Sequence, residues 1–152
     1  MVITFIGHRS LYDAVGMLEK IKNVLDEIIK KDEKTVFLLG GYGEFDAECA
    51  KACRQIAKEN ASCELVLVTP YMTESHLKKV KEMMTSKIYD TVLYPPLEQV
   101  PLRFAISKRN EWMIEQSDVI ITFVRHSYGG AYKSLLYAQR KKKKMIHLAQ
   151  EE

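Results

Sequence analysis

The stretch Thr35-Val36-Phe37-Leu38-Leu39-Gly40-Gly41-Tyr42-Gly43-Glu44-Phe45-Asp46-Ala47-Glu48 decides the fold. Its first five residues are a run of β-branched, aromatic and aliphatic side chains, as a strand needs when both of its faces are buried. Three glycines in four positions interrupt it, and Phe45, Cys49, Ala52, Cys53 and Ile56 then recur at helical spacing. A strand that enters a helix through a glycine loop is the repeating unit of a parallel sheet covered by helices.

The unit recurs on both sides. Residues 2–6, 64–68, 89–93, 118–124 and 145–148 read as further strands. Leu11, Val15, Leu18, Ile21, Leu25 and Ile28 form an apolar stripe at spacings of three and four, predicting a first helix. Others are expected over 74–86, from Pro101 to about 117, and over 131–143. The sequence thus predicts an α/β, Rossmann-like, open and mainly parallel sheet of about six strands with helices on both faces. With no repeat or linker, residues 1–152 read as a single domain. The one proline-dense segment, residues 94–101, reads as a stiff crossover loop.

Composition narrows the class. The 152 residues are 47% hydrophobic and 28% charged, which excludes a disordered or collagen-like chain. No apolar run approaches the roughly 20 residues of a membrane span, and residues 1–6 lack the charged lead of a signal peptide, so a cytoplasmic protein is expected. Cys49, Cys53 and Cys63 form no Cys-x-x-Cys pair, and His76 and His147 stand at no ligand spacing. No metal and no cofactor are expected. The net charge of +3 is local, since residues 140–144 carry five positive charges; without them 18 bases face 20 acids, a net of −2. On that ground nucleic acid is not expected as a partner, and the run reads as a solvated helix end.

In an open α/β sheet, ligands bind where strand ends lead into helix N-termini. Three such loops stand out. The first holds Gly7-His8-Arg9-Ser10, where glycine permits close approach and Arg9 offers a planar fork of donors suited to phosphate. The second, with Gly40, Gly41 and Gly43, is followed by Glu44, Asp46 and Glu48, whose charge occupies the field a phosphate would use. Glu44 or Asp46 is therefore expected to meet sugar hydroxyls, or to act as a base, unless Asp46 simply caps the helix. The third, Arg125-His126-Ser127-Tyr128-Gly129-Gly130-Ala131-Tyr132-Lys133-Ser134, is cationic and opens a helix, so phosphate is expected at Gly129, Gly130 and Ser134. On the fourth helix Arg109 falls on the apolar stripe of Leu102, Ile106 and Met113, beside Asn110. An unpaired buried guanidinium costs several kcal/mol, so an internal carboxylate or a bound anion must face it.

Together, Thr4-Phe5-Ile6-Gly7-His8-Arg9, Gly40-Gly41-Tyr42-Gly43-Glu44-Phe45-Asp46 and Ser107-Lys108-Arg109-Asn110-Glu111-Trp112-Met113-Ile114-Glu115-Gln116-Ser117-Asp118 leading to Gly129-Gly130 resemble the SLOG superfamily. That group includes the DNA-processing protein DprA, the LOG phosphoribohydrolases and small stand-alone YpsA-like proteins. The chain most resembles the YpsA-like branch. The resemblance implies a Rossmann-like fold that binds nucleotides or nucleotide-derived ligands, often as a homodimer. By position it implies Gly7 and Arg9 in the first loop, Gly41, Gly43 and Asp46 in the second, Arg109 and Asn110 on the helix, and Gly129 and Gly130 in the last. The LOG motif Pro-Gly-Gly-x-Gly-Thr-x-x-Glu is not reproduced at Gly129-Gly130-Ala131-Tyr132-Lys133-Ser134-Leu135-Leu136, so catalysis is not carried over.

The leading expectation is a domain that binds or senses a nucleotide, with phosphate held by Gly129, Gly130 and Arg9 or Arg109, and ribose met by Asp46 or Glu44. Two alternatives stay open: hydrolysis of a nucleotide N-glycosidic bond with Glu44 or Asp46 as base, and a DprA-like nucleic-acid or protein adaptor using residues 140–144.

Overall fold

A computed structural model of the chain describes residues 1–11 and 15–149. Strands β1 (Val2–Gly7), β2 (Thr35–Leu39), β3 (Cys63–Val68), β4 (Thr91–Leu93), β5 (Val119–Phe123) and β6 (Lys144–His147) form one sheet in the order β4-β3-β2-β1-β5-β6. Every pairing is parallel, so each crossover carries a helix: α1 (Met17–Ile28), α2 (Gly43–Glu59), α3 (Glu74–Thr85), α4 (Ala105–Gln116) and α5 (Gly129–Arg140). This is the expected open Rossmann-like architecture.

The period of two along each strand sorts the core into two layers. Ile3, Phe5, Phe37, Leu39, Leu65, Leu67, Ile121 and Phe123 point to one face, where Ile21 and Leu25 of α1 and Phe45, Cys49 and Cys53 of α2 cover them. Ile6 and Ile120 pack on the other face with Ile114 of α4 and Ala138 of α5. There too Leu38, Val66 and Val68 meet Met113 of α4, with Trp112 partly buried against them. Each fully buried Leu, Ile or Phe contributes about 1.5–3 kcal/mol, so strand runs apolar on both faces specify an interior sheet. The three cysteines are buried thiols, and burial pushes those of Cys49 and Cys53 well above the usual range, as the core reading of that stripe requires.

Several boundaries differ from the sequence reading, among them both ends of the last helix, expected over 131–143 and found at Gly129–Arg140. The stripe through Leu11 and Val15 begins before its helix, because Gly16 at φ +79° precedes α1 and leaves Val15 93% exposed; residues 12–14 lie outside the described residues. Strands β4 and β5 start one or two residues late, after Asp90 and Asp118. Each of these aspartates uses its carboxylate to accept the N–H of the neighbouring strand, from Leu65 and from Val2 respectively. A 3-10 turn at Leu102–Phe104 precedes α4, so the 100° steps do not carry through and Leu102 is exposed rather than part of the buried stripe.

Candidate functional site

The strand order places the change of direction between β1 and β5. From β1 the chain moves outward through β2, β3 and β4, and from β5 it moves the other way to β6. Loops leaving the carboxyl ends of β1 and β5 therefore splay apart, opening the crevice where ligands of such sheets bind. A cavity of about 480 Å³ lies there.

Gly7, His8, Arg9, Asp46, Arg109, Asn110, Gly129, Gly130 and Ser134 all line it, although they come from four separate segments of the sequence. Glu44 and Gly43 do not. Gly40 and Gly41 line a separate space of about 110 Å³ with His76 and Met83, on the β3 side. None of residues 94–101 lines the cavity; Leu97 is buried and pins that segment down.

The first two loops are clasped together. The Glu44 N–H donates to the Arg9 carbonyl at 2.7 Å, and the Glu44 carboxylate accepts the Leu11 N–H at 2.6 Å. Gly43, at φ +88°, has no room for a side chain, since a Cβ there would lie 2.7 Å from Arg9 Cα. Gly7 is required for a similar reason: a Cβ would run into the ring of Phe45, which is 1% exposed and stacked on Phe123. Two glycines assigned to ligand approach are thus needed by the fold's own packing.

Arg109 is 2% exposed, and the protein itself supplies most of its partners. Its Nη1 donates to the Gly40 carbonyl at 2.9 Å and the Val68 carbonyl at 2.8 Å, and its Nε donates to Asn110 Oδ1 at 2.9 Å. The guanidinium ties together the ends of β2 and β3 from the far helix. Asp46 stands opposite, across Gly40, where a Cβ would lie 3.1 Å from Asp46 Oδ2 and 3.2 Å from Arg109 Cζ. Asp46 Oδ2 also accepts the Tyr42 N–H at 3.0 Å, the capping role weighed for it. Burial raises the Asp46 carboxyl to about 6, against the opposing pull of the Tyr42 hydrogen bond and the Arg109 charge. A carboxyl held there exchanges its proton near neutral pH, as a general base does.

The third loop builds a stack of rings. His8 lies on His126 with centroids 3.9 Å apart and planes 10° apart, and His126 lies on Tyr128 at 4.0 Å and 24°. His8 Nε2 accepts the Arg125 N–H at 2.8 Å, which requires that nitrogen to be unprotonated. Burial, with His126 and Arg125 nearby, lowers the His8 pKa in the same sense. Tyr128 is 70% exposed at the outer end. Beyond it Gly129, at φ +86°, and Gly130 open α5, and a Cβ at either would meet nothing within 4 Å. The first turn of α5 holds no acidic residue, whereas that of α2 holds Glu44 and Asp46.

Of the residues at this edge, His8 was expected in the site, whereas His126, Tyr128 and Tyr42 were not. Tyr42 lines the cavity with the Arg109 guanidinium 5.4 Å from its ring centroid, and its hydroxyl lies 3.2 Å from His76 Nδ1. The available signal was the placement of Tyr42 and Tyr128 directly against glycines in strand-to-helix loops.

No family model matches the chain. The uncharacterized SPbeta prophage-derived protein YoqJ of Bacillus subtilis (strain 168) is 24% identical over 136 residues, covering 80% of each chain. Among solved structures, DNA processing protein A from Helicobacter pylori, described for its single-stranded DNA binding mode, superposes with a TM-score of 0.65 at 17% identity, covering 99% of this chain and 66% of that one. DprA from Streptococcus pneumoniae superposes with a TM-score of 0.66 at 16% identity, covering 98% and 50%. The chain spans half to two thirds of those proteins. The fold is DprA-like.

One expectation is thereby corrected. The charge outside residues 140–144, which sums to −2, argues against nucleic acid, yet a protein of this fold is described as binding single-stranded DNA. A sum over the chain misses local arrangement. At this edge Arg9 is exposed, while the carboxylates of Glu44 and Asp46 are taken up by the Leu11 and Tyr42 N–H groups. As for membranes, no helix among the described residues is long and apolar enough to cross one.

Proposed function

We propose that the cavity between the β1 and β5 loops holds one nucleotide unit of a single-stranded DNA. Its base lies against the outer face of Tyr128, and its phosphate over the N-terminus of α5 at Gly129 and Gly130, within reach of Arg9. The observation that carries this reading is the His8–His126–Tyr128 stack, an exposed aromatic platform beside glycine amides and a cation. Proteins that bind single strands without strong sequence preference combine such platforms with positive charge. The likeness to the Helicobacter pylori protein, described for its single-stranded DNA binding mode, supports the same reading. Within the SLOG group, the loop motifs are those that suggest the YpsA-like branch.

Fluorescence anisotropy of a labelled oligothymidylate tests it. Saturable binding, weakened tenfold or more by Gly130→Asp, is expected, because the new carboxylate enters open space over the phosphate position. Equal binding by the variant would overturn the reading.

A free nucleotide is the second reading. A cavity of about 480 Å³ falls within the usual 300–1,000 Å³ of small-molecule sites. Under it a mononucleotide competes fully with the oligomer. Asp46 would then be the base for any N-glycosidic cleavage, and base release lost in Asp46→Asn would reveal it.

A further inference from the structure

We infer that the bound strand leaves the cavity along a second groove, between α4 and α5, with its sugar-phosphate backbone running toward Arg140. This rests on the single-stranded DNA reading of the cavity. The groove, of about 880 Å³, is continuous with the cavity, because Arg9, Ile106, Asn110, Gly130 and Ser134 line both. Past them its α5 wall is Lys133, Leu136, Tyr137, Gln139 and Arg140. Gly130 is three and four residues before Lys133 and Ser134, these are four and three before Tyr137, and Arg140 follows three later, so a single face of α5 leads from the phosphate position to Arg140. At 1.5 Å per residue that face is about 15 Å long, room for several nucleotides.

The charge of the groove matches a phosphate backbone. Lys133 and Arg140 are both exposed, and Arg9 stands at the entrance. Glu111 lines the groove from α4, but its carboxylate is paired with Lys108 at 3.1 Å. At the far end the Tyr137 hydroxyl donates to Glu115, which fixes the ring, and the Arg140 guanidinium sits 5.6 Å from the ring centroid. The basic run is not one solvated patch. Lys143 donates at 3.0 Å to the Glu115 and Ser117 carbonyls at the end of α4, Lys141 pairs with Glu115 at 3.7 Å, and Lys144 begins β6. Among residues 140–144, only Arg140 lines the groove.

Fluorescein-labelled oligothymidylates of two, four and eight nucleotides provide the test, with Lys133→Glu/Arg140→Glu, its milder form Lys133→Gln/Arg140→Gln, and Tyr128→Ala. Wild-type affinity is expected to rise tenfold or more from two to eight nucleotides. Both double variants are expected to lose that gain while keeping wild-type affinity for the dinucleotide and an unchanged melting temperature. Neutralising two phosphate contacts fewer also lowers the slope of log affinity against log salt by about 1.4. Wild-type affinity for the eight-nucleotide probe in the double variants, or no gain with length, overturns the groove and leaves the cavity reading standing. Unchanged affinity in Tyr128→Ala for every length overturns the cavity reading itself, and the inference with it.

Discussion

His126 lies between Tyr128, with ring centroids 4.0 Å apart, and His8, at 3.9 Å, so the stack ends in Tyr128, which is 70% exposed. A stack built this way is ordered before any ligand arrives. A base that docks on it adds a fourth ring and loses little further side-chain freedom.

Tyr128→Ala is therefore expected to cost about 1–3 kcal/mol of single-strand affinity, roughly a 5- to 150-fold weakening. Because Tyr128 is 70% exposed, the stability of the variant should stay within about 0.5 kcal/mol of wild type. Anisotropy titration and thermal unfolding of the same samples separate the two effects.

The Asp46 carboxyl, ordinarily at 3.8, is held at about 6 by burial, so between those values the folded chain keeps a proton that the unfolded chain has released. Stability contributed by this group is greatest at low pH and falls as pH rises from about 4 to about 6, by up to about 3 kcal/mol. His8, lowered from 6.5, acts in the opposite sense and lowers stability as pH falls through that value. Urea midpoints of wild type and Asp46→Asn across pH 4 to 7 isolate the Asp46 part as their difference. Parallel profiles would refute the assignment.

Gly7→Ala should destabilise by about 1–3 kcal/mol, since the Phe45 ring it meets is locked between buried neighbours. Adding Phe45→Leu makes room for the new methyl. The double variant is expected to be more stable than the sum of the single effects, a non-additivity that a urea-unfolding cycle measures.

Arg109→Ala leaves the carbonyls of Gly40 and Val68 without their donor, each buried group costing about 1–3 kcal/mol. A loss of about 2–5 kcal/mol in urea unfolding is expected. Loss of ligand affinity in this variant accordingly reports the scaffold as well as the site, whereas Tyr128 and Gly130 report the site alone.

The sheet and its helices were legible because the strand runs are apolar on both faces and most of each helix carries an apolar stripe. Where a side chain stands in for a backbone partner, as Asp90 and Asp118 do, the strand boundary moved and no periodicity could show it. The loops that form the edge were legible from their glycines. Their individual roles were not, since Gly7 answers to Phe45 and Glu44 to the Leu11 N–H, contacts between residues 33 or more positions apart. The sequence asks for a carboxylate or a bound anion at Arg109, whereas its hydrogen bonds go to two strand-end carbonyls and Asn110, with Asp46 across Gly40. The stack of His8, His126 and Tyr128 joins two loops 117 or more residues apart, which only the β1/β5 pairing brings together.

The most direct test is a ¹H–¹⁵N chemical-shift titration of the full chain with a thymidine trinucleotide. Shifts concentrated at the amides of His8, Arg9, Tyr128, Gly129 and Gly130 are predicted, with the amides of α1 and of residues 63–68 unmoved. An absence of shifts at the Tyr128–Gly130 turn at saturation, or their concentration on the α1 face, would contradict a nucleotide site between β1 and β5.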